Sequence, residues 1–125
     1  MNLNKTIMSS NGMGTKKYLI NELSKSLGNG FNLKNYSYSG LNKDQKHFWF
    51  TPLKRSDLGL ILNDNLNNKI YIINNLNSLI ENEFKTRSMS GKDHLNIQIA
   101  NEDGKLFEEH AKVDLRPYVN FVINY

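Results

Sequence analysis

The sequence predicts an α+β domain with a mostly antiparallel sheet of about five to six strands and two or three helices. Two short apolar runs, at 58–62 and 70–73, are separated by an Asn-rich connector at 63–68. Apolar runs of this length without polar alternation are typical of strands covered on both faces, and the connector predicts a hairpin loop between them. Hairpins rather than crossovers join the predicted strands, which favours antiparallel pairing.

Length and composition limit the class of protein. A chain of 125 residues corresponds to about one domain. It has no cysteine, which excludes a thiol nucleophile, a disulfide and a zinc-thiolate site. The longest apolar run has five residues and the start lacks a signal-peptide core, so we expect a cytoplasmic protein that needs no metal or cofactor. Twenty asparagines, and 13 Lys against three Arg, indicate an AT-rich bacterial or phage genome.

Charge is distributed unevenly along the chain. Residues 1–55 carry nine Lys or Arg against two acids, a net of +7, whereas residues 56–125 carry seven against ten acids, a net of −3. This asymmetry favours a face for nucleic acid or another polyanion. The alternative is that the lysines serve only solubility.

The first part of the chain divides into a leader and the start of the domain. Residues 1–14 are polar and Gly-containing, which predicts a flexible leader or linker before a single domain at 15–125. Thr15 is a candidate N-cap, and apolar residues at helical spacing predict a helix at 16–27 that ends at Gly28. We expect its apolar stripe to lie on the sheet.

The segment after this helix is rich in aromatic residues. An alternating strand begins at 31–33 and changes phase near Lys34, which predicts a bulge or break. Aromatic content predicts a strand at 47–51 that Pro52 closes. Residues 53–57 then form a connecting loop or a single helical turn.

The second half contains a further helix, a hairpin and an ambiguous tail. Asn74 or Asn75 can cap a helix through about Lys85, followed by a polar loop at 86–93. The alternating run at 95–99 and the turn at 101–104 predict a hairpin with one wet face, whose second strand is 105–108. In the tail, Pro117 favours a short helix, while the alternation of Val119, Phe121 and Ile123 fits a strand.

Bases and aromatic residues alternate at 34–55, where cations can neutralise phosphates and exposed rings can stack on bases. In a strand successive rings point to opposite faces, so part of this set is expected in the core instead. The candidate phosphate contacts are Lys16, Lys17, Lys34, Lys43, Lys46, Lys54, Arg55, Arg87 and Lys92. The candidate stacking residues are Tyr36, Tyr38 and Trp49.

Two further patterns point to catalysis or metal binding. Glu83, Phe84 and Lys85 match the ExK half of a magnesium-dependent nuclease motif, for which Asp57 or Asp64 would supply the first carboxylate. ExK is common by chance and falls here on a predicted helix. His47, His94 and His110 are far apart in sequence, which favours ordinary histidines over a metal site. We therefore predict no catalytic and no metal-binding residues.

The order of motifs in residues 46–120 suggests a family comparison. The HFWF run at 47–50, the apolar runs at 58–62 and 70–73, the alternating strand at 95–99 and the DLRPYV run at 114–119 together resemble small modules of bacterial restriction and phage-defence proteins. The resemblance implies DNA recognition or scaffolding beside a nuclease. The leading hypothesis is a non-enzymatic module that binds DNA or a nucleoprotein complex in defence or counter-defence. The alternatives are a phage-encoded inhibitor of a host defence enzyme, of anti-CRISPR or anti-restriction type, and a small nuclease.

Overall fold

A computed structural model describes residues 35–48, 51–54, 58–84, 94–102 and 105–124, with the backbone alone at 51–54 and 94–96. The predictions for the leader 1–14, the helix 16–27, the strand start at 31–33, the change of phase at Lys34 and the loop 86–93 lie outside these residues.

Strands account for most of the described chain. In chain order the elements are β1 Tyr36–Gly40, β2 Thr51–Lys54, β3 Gly59–Asp64, β4 Lys69–Ile73, α1 Leu76–Leu79, a π-helical turn Ile80–Phe84, β5 His94–Ile97, β6 Ile99–Glu102, β7 Lys105–Glu108, β8 Val113–Asp114, a 3-10 turn Arg116–Tyr118 and β9 Phe121–Asn124. The described residues therefore mix helix and strand, as the sequence predicted.

The two apolar runs form the centre of a four-stranded sheet with the order β1-β3-β4-β9. β3 and β4 pair antiparallel, with Leu60 opposite Ile73 and Asp64 opposite Lys69, so the predicted hairpin is confirmed. Every residue of β3 is buried, as expected for a strand covered on both faces. β1 runs parallel to β3 and β9 runs antiparallel to β4.

Gly59 begins β3 where three chain segments approach closely. A Cβ atom at this position would overlap the carbonyl oxygen of Ile73 and the ring of Tyr36. Only glycine lets the backbone come this near to its neighbours. The glycine inside the apolar run is therefore a packing requirement of the sheet.

Two smaller sheets complete the described strands. β2 pairs antiparallel with β5, and β6, β7 and β8 form a three-stranded antiparallel sheet. Single bridges join Leu41 to Phe48 and His47 to Ala100, which connects the end of β1 to the edge of β6. The segment at 46–48 thus lies between the central sheet and the β6-β7-β8 sheet.

The core lies between the central sheet, α1 and the β6-β7-β8 sheet. Its members are buried apolar residues of all three layers: Leu41, Phe48, Leu60, Leu62, Tyr71, Ile73, Leu76, Leu79, Ile80, Phe84, Ile97, Ile99, Leu106 and Leu115. The opposite face of the central sheet is also apolar, and Ile61, Ile70 and Ile72 on that face have no exposed surface. Burial on both faces explains why β3 and β4 show no polar alternation.

The second helix and the hairpin follow the predictions in part. Asn75 is the N-cap, and its side chain accepts a hydrogen bond from the Ser78 backbone N–H (3.0 Å). Only four residues are α-helical before the π-helical turn. A hairpin with 105–108 as its second strand forms as predicted, but its first strand is β6 at 99–102, partly inside the predicted turn, with Glu102 opposite Lys105. Most of the run predicted as the first strand belongs to β5, which pairs with β2 instead. The inner face of the hairpin includes the fully buried Glu108, whose carboxylate accepts the backbone N–H of Ala111 (2.8 Å) in the turn before β8.

Three predictions need correction. The tail forms the strand β9 after a single 3-10 turn at Pro117, so the favoured helix is wrong and the strand alternative is right. Pro52 lies inside β2 rather than ending a strand, because β2 begins at Thr51 and continues to Lys54. The described strands form three sheets rather than one, and they include one parallel pair.

None of the helices in the described ranges could span a membrane, because none combines sufficient length with sufficient apolar character.

Candidate functional site

Asp64 is the centre of a buried polar cluster at the end of β3. The residue is 1% exposed, and its carboxylate accepts four hydrogen bonds. Oδ1 accepts the backbone N–H groups of Leu66 (3.2 Å) and Asn67 (3.1 Å). Oδ2 accepts the side-chain Nδ2 groups of Asn67 (3.0 Å) and Asn101 (2.6 Å). A carboxylate has about four acceptor positions. In Asp64 all four are occupied by N–H groups of uncharged donors.

The local sequence explains this arrangement. An Asp side chain readily accepts hydrogen bonds from the backbone two and three residues later, which closes the turn between β3 and β4. Asn68 in the same turn has φ 55°, a left-handed conformation that Asn tolerates better than most residues. Asp64 therefore fixes both the turn and the amide of Asn67.

A cleft of about 520 Å³ opens beside this cluster. We call it the amide cleft, and it is lined by Gln45, Asp64, Leu66, Asn67, Lys69, Tyr71 and Asn101. Asp64 and Tyr71 are buried in its wall, whereas Gln45, Asn67 and Lys69 are exposed. The volume falls in the usual range for small-ligand sites, and three of its seven lining side chains are amides.

Asn101, which lines this cleft, carries a buried acceptor without a partner. Its Nδ2 is held by Asp64, while its Oδ1 is buried and has no hydrogen-bond partner in the part of the chain that the structure describes. An unpaired buried acceptor costs roughly 1–3 kcal/mol. A donor that reached this oxygen would recover part of that cost.

One lysine lines the amide cleft, and two more lie in the turn that contributes Gln45. Lys69 lines it directly, is exposed, and has no ion pair within the described residues. Gln45 lies in the turn at 42–47 between Lys43 and Lys46, and its φ of 60° turns the chain sharply there. Lys46 pairs with Glu102, and its backbone carbonyl accepts the N–H of Asn101 (2.8 Å). The turn that contributes Gln45 to the cleft therefore also carries two exposed lysines, although neither of them lines the cleft.

A second polar cluster, which we call the histidine clamp, consists of Asp44, His47 and Glu109. His47 Nδ1 lies 2.6 Å from Asp44 Oδ2, and His47 Nε2 contacts a carboxylate oxygen of Glu109. The Asp44 hydrogen bond raises the pKa of His47 above its ordinary value, burial opposes this, and Glu109 adds to it. The backbone N–H groups of His47 and Lys46 lower the pKa of Asp44 to about 2.

The clamp holds segments together rather than offering a free base. Ionised carboxylates only accept hydrogen bonds, so both nitrogen atoms of His47 must carry protons when both contacts form. The imidazolium therefore has no free nitrogen for proton abstraction. The two carboxylates lie on opposite sides of the ring, and no group of three His, Cys, Asp or Glu side chains in the described ranges is placed to hold a metal ion.

The structure describes the side chains of four of the predicted nucleic-acid contacts. Tyr36 is 8% exposed and its hydroxyl donates to Asn74 Oδ1 (3.0 Å), which leaves little of the ring for stacking. Tyr38 is half-buried, and its hydroxyl accepts from Asn63 Nδ2 (3.1 Å). Burial raises the pKa of both phenols. Lys43 and Lys46 are exposed in the turn that follows β1.

The remaining candidates lie outside what the structure describes. Lys54 ends β2, and only its backbone is described. The others fall between the described ranges or before them: Lys16, Lys17, Lys34, Trp49, Arg55, Arg87 and Lys92. Their role in binding stays a prediction.

The proposed nuclease residues do not form a magnesium site in the described chain. Asp64 cannot supply a free carboxylate, because all its acceptor positions are filled by N–H donors. Glu83 is exposed on the π-helical turn and accepts the hydroxyl hydrogen of Tyr118 (2.7 Å). Asp57 and Lys85 lie outside the described residues.

The amide cleft was not predicted from the sequence. The one local signal was Asp64 followed three residues later by Asn67, a spacing that suits an Asp-closed turn. Nothing local links these residues to Gln45 or Asn101, which reach the cleft through the pairing of residues 46–48 with β6. A search of family models, of curated proteins and of solved structures finds no match to this chain.

Proposed function

We propose that this chain is a non-enzymatic module that binds nucleic acid in a prokaryotic restriction, phage-defence or counter-defence system. The observation that carries the proposal is the amide cleft, which Lys69 lines and to which the turn carrying Lys43 and Lys46 contributes Gln45. Lysines neutralise phosphates, and Asn and Gln side chains form hydrogen bonds with base edges. The basic first half of the sequence, with its net charge of +7, would add to the same electrostatic attraction.

The pairing of Lys46 with Glu102 is compatible with this role. Both side chains are about half exposed, at 48% and 56%. Ion pairs in such positions contribute little to stability, because water solvates both partners. A phosphate can therefore compete with Glu102 for the lysine at little cost to the fold.

Binding of labelled duplex and single-stranded DNA of mixed sequence over a salt series tests the proposal. We expect affinity to fall as salt rises, because bound lysines displace counterions from the phosphates. The double variant Lys43→Glu/Lys46→Glu should bind at least about tenfold more weakly and show a salt slope smaller by about one per lysine in contact.

Lys112→Glu/Arg116→Glu is the matched control, because it makes the same change in net charge at two exposed basic residues that neither line the cleft nor lie in the turn at 42–47. Its affinity should stay much closer to that of the parent protein. Equal losses in both variants would show that only net charge matters. No binding by the parent at low salt would overturn the proposal.

An inhibitor that docks on a host defence enzyme is the second candidate. Its supporting observation is the exposure of Phe121 and Val122 on β9, at 37% and 49% of their surfaces. The two side chains point to opposite faces of β9, which is at the edge of the four-stranded sheet, and exposed apolar residues on an edge strand suit a protein interface. Stoichiometric co-purification with a defence enzyme, lost in Val122→Lys, would favour this function over nucleic-acid binding.

A further inference from the structure

We infer that the amide cleft takes one unpaired nucleobase that carries an exocyclic amino group, while Lys69 contacts the adjoining phosphate. The inference rests on the proposed nucleic-acid binding and names the part of the ligand that the cleft would read. Adenine, cytosine and guanine carry such an amino group, whereas thymine and uracil do not.

The orientation of the two Asn side chains sets the chemistry of the cleft. Asp64 accepts the Nδ2 groups of both Asn67 and Asn101. Each Nδ2 gives one of its two hydrogens to Asp64, so each side chain keeps its Oδ1 as an acceptor and one further Nδ2 hydrogen as a donor. The unpaired group is an acceptor, the buried Oδ1 of Asn101, which favours a ligand that donates hydrogen bonds. An exocyclic amino group has two hydrogens and can serve the Oδ1 atoms of both Asn67 and Asn101, whereas the single N3–H of thymine or uracil can serve one of them.

Gln45 adds a complete amide at the exposed side of the cleft. A Gln side chain can donate to a ring nitrogen and accept from an exocyclic amino group of the same base. This bidentate pairing is best known for adenine. Gln45 has a φ of 60° and lies in the turn that also carries Lys43 and Lys46.

Lys69 is the residue that we expect to contact the phosphate, because it is the lysine that lines the cleft. This residue is opposite Asp64 in the β3–β4 ladder, but the Asp64 carboxylate is buried and bonded to neutral donors. Lys69 is exposed and forms no ion pair within the described residues, so its ammonium group is available to an anion. A cleft of about 520 Å³ has room for one base with its phosphate at the edge.

The test compares eight-nucleotide oligo(dA), oligo(dC) and oligo(dT) by fluorescence anisotropy, with NMR titration to locate the contacts. We expect oligo(dA) and oligo(dC) to bind at least about threefold more tightly than oligo(dT), with shifts of the side-chain amides of Gln45, Asn67 and Asn101. Gln45→Gly should abolish this preference, and glycine suits the positive φ at that position.

Lys69→Ala should weaken binding of all three oligonucleotides and reduce the salt slope by about one. Lys105→Ala is its matched control, since both lysines are exposed and each begins a strand. Equal affinity for the three oligonucleotides, or a preference that survives in Gln45→Gly, would overturn the inference and leave the proposed function standing. Absence of binding by any oligonucleotide at low salt would overturn both.

Discussion

The amide cluster around Asp64 and the histidine clamp solve the same structural problem in different ways. Both clusters connect another part of the chain to the β6-β7-β8 sheet. Asp64, at the end of β3, accepts a hydrogen bond from Asn101 of β6. His47, in the segment after β1, contacts Glu109 just after β7. The Asp64 carboxylate is buried and has only neutral partners. The His47 side chain is 21% exposed and has charged partners.

The difference determines how each cluster responds to conditions. Hydrogen bonds from neutral amides to a buried carboxylate are poorly screened by salt and do not depend on a histidine proton. The clamp depends on the imidazolium and is open to water, so it should weaken as pH rises. We expect the buried cluster to fix the geometry of the amide cleft and the clamp to tune how firmly the turn at 42–47 is held.

The largest effect should come from Asp64→Ala. The substitution leaves two backbone and two side-chain donors without their acceptor, and we expect a loss of roughly 3 kcal/mol in the free energy of unfolding. Urea denaturation at constant pH measures this. Asp114→Ala is the control, because Asp114 is a more exposed aspartate that also accepts a backbone N–H, from Arg116 (3.0 Å). A loss no larger than that of the control would show that the buried cluster does not hold the fold.

Asn101→Ala should have a smaller effect, about 1 kcal/mol. It removes a hydrogen bond to Asp64 but also removes the unpaired Oδ1, and these two changes oppose each other. In the double variant with Asp64→Ala the losses should not add, with a coupling of about 1 kcal/mol. Additive losses in the same urea measurements would mean that Asn101 acts independently of the carboxylate.

The fold was predictable where short-range pattern and burial agree. The β3–β4 hairpin, the cap at Asn75 and the position of β7 follow from apolar runs and from Asn, Asp and Gly at turns. The first strand of the second hairpin was placed too early, because the run at 95–99 is divided between β5, which pairs with the distant β2, and β6. The tail at 121–124 was misjudged because Pro117 suits the first turn of a helix. The segment forms a strand because it pairs with β4, which is distant in sequence.

The candidate site was mostly not predictable, and the reason is its long-range construction. Gln45, Lys69 and Asn101 come from three separate segments that tertiary pairing brings together. The basic and aromatic pattern drew attention to Tyr36 instead, yet its ring packs beside Gly59 in the sheet. Composition indicates that a chain is basic, but it does not indicate which polar side chains share a cleft.

The smallest effect should be the pH dependence of the clamp. The pKa of His47 is raised in the folded state, so its contribution to stability is complete below the ordinary value of 6.5 and is lost as pH rises through the folded pKa. The pKa of Asp44 is lowered from 3.8 to about 2, so its contribution is present above 3.8 and is lost as pH falls toward 2. The clamp should therefore stabilise the fold most between about pH 3.8, the ordinary pKa of Asp44, and pH 6.5, the ordinary pKa of His47.

Unfolding free energies of the parent protein and of His47→Gln between pH 5 and 9 measure this contribution. The difference between them should shrink as pH rises above 6.5, with His110→Gln as the control at an exposed histidine outside the clamp. NMR titration of the His47 ring should give a lower midpoint in Glu109→Gln, because an amide does not favour the imidazolium as a carboxylate does. A midpoint that Glu109→Gln leaves unchanged would mean that the contact with Glu109 does not hold the ring in solution. The turn at 42–47 would then depend on Asp44 and on its backbone pairing with β6 alone.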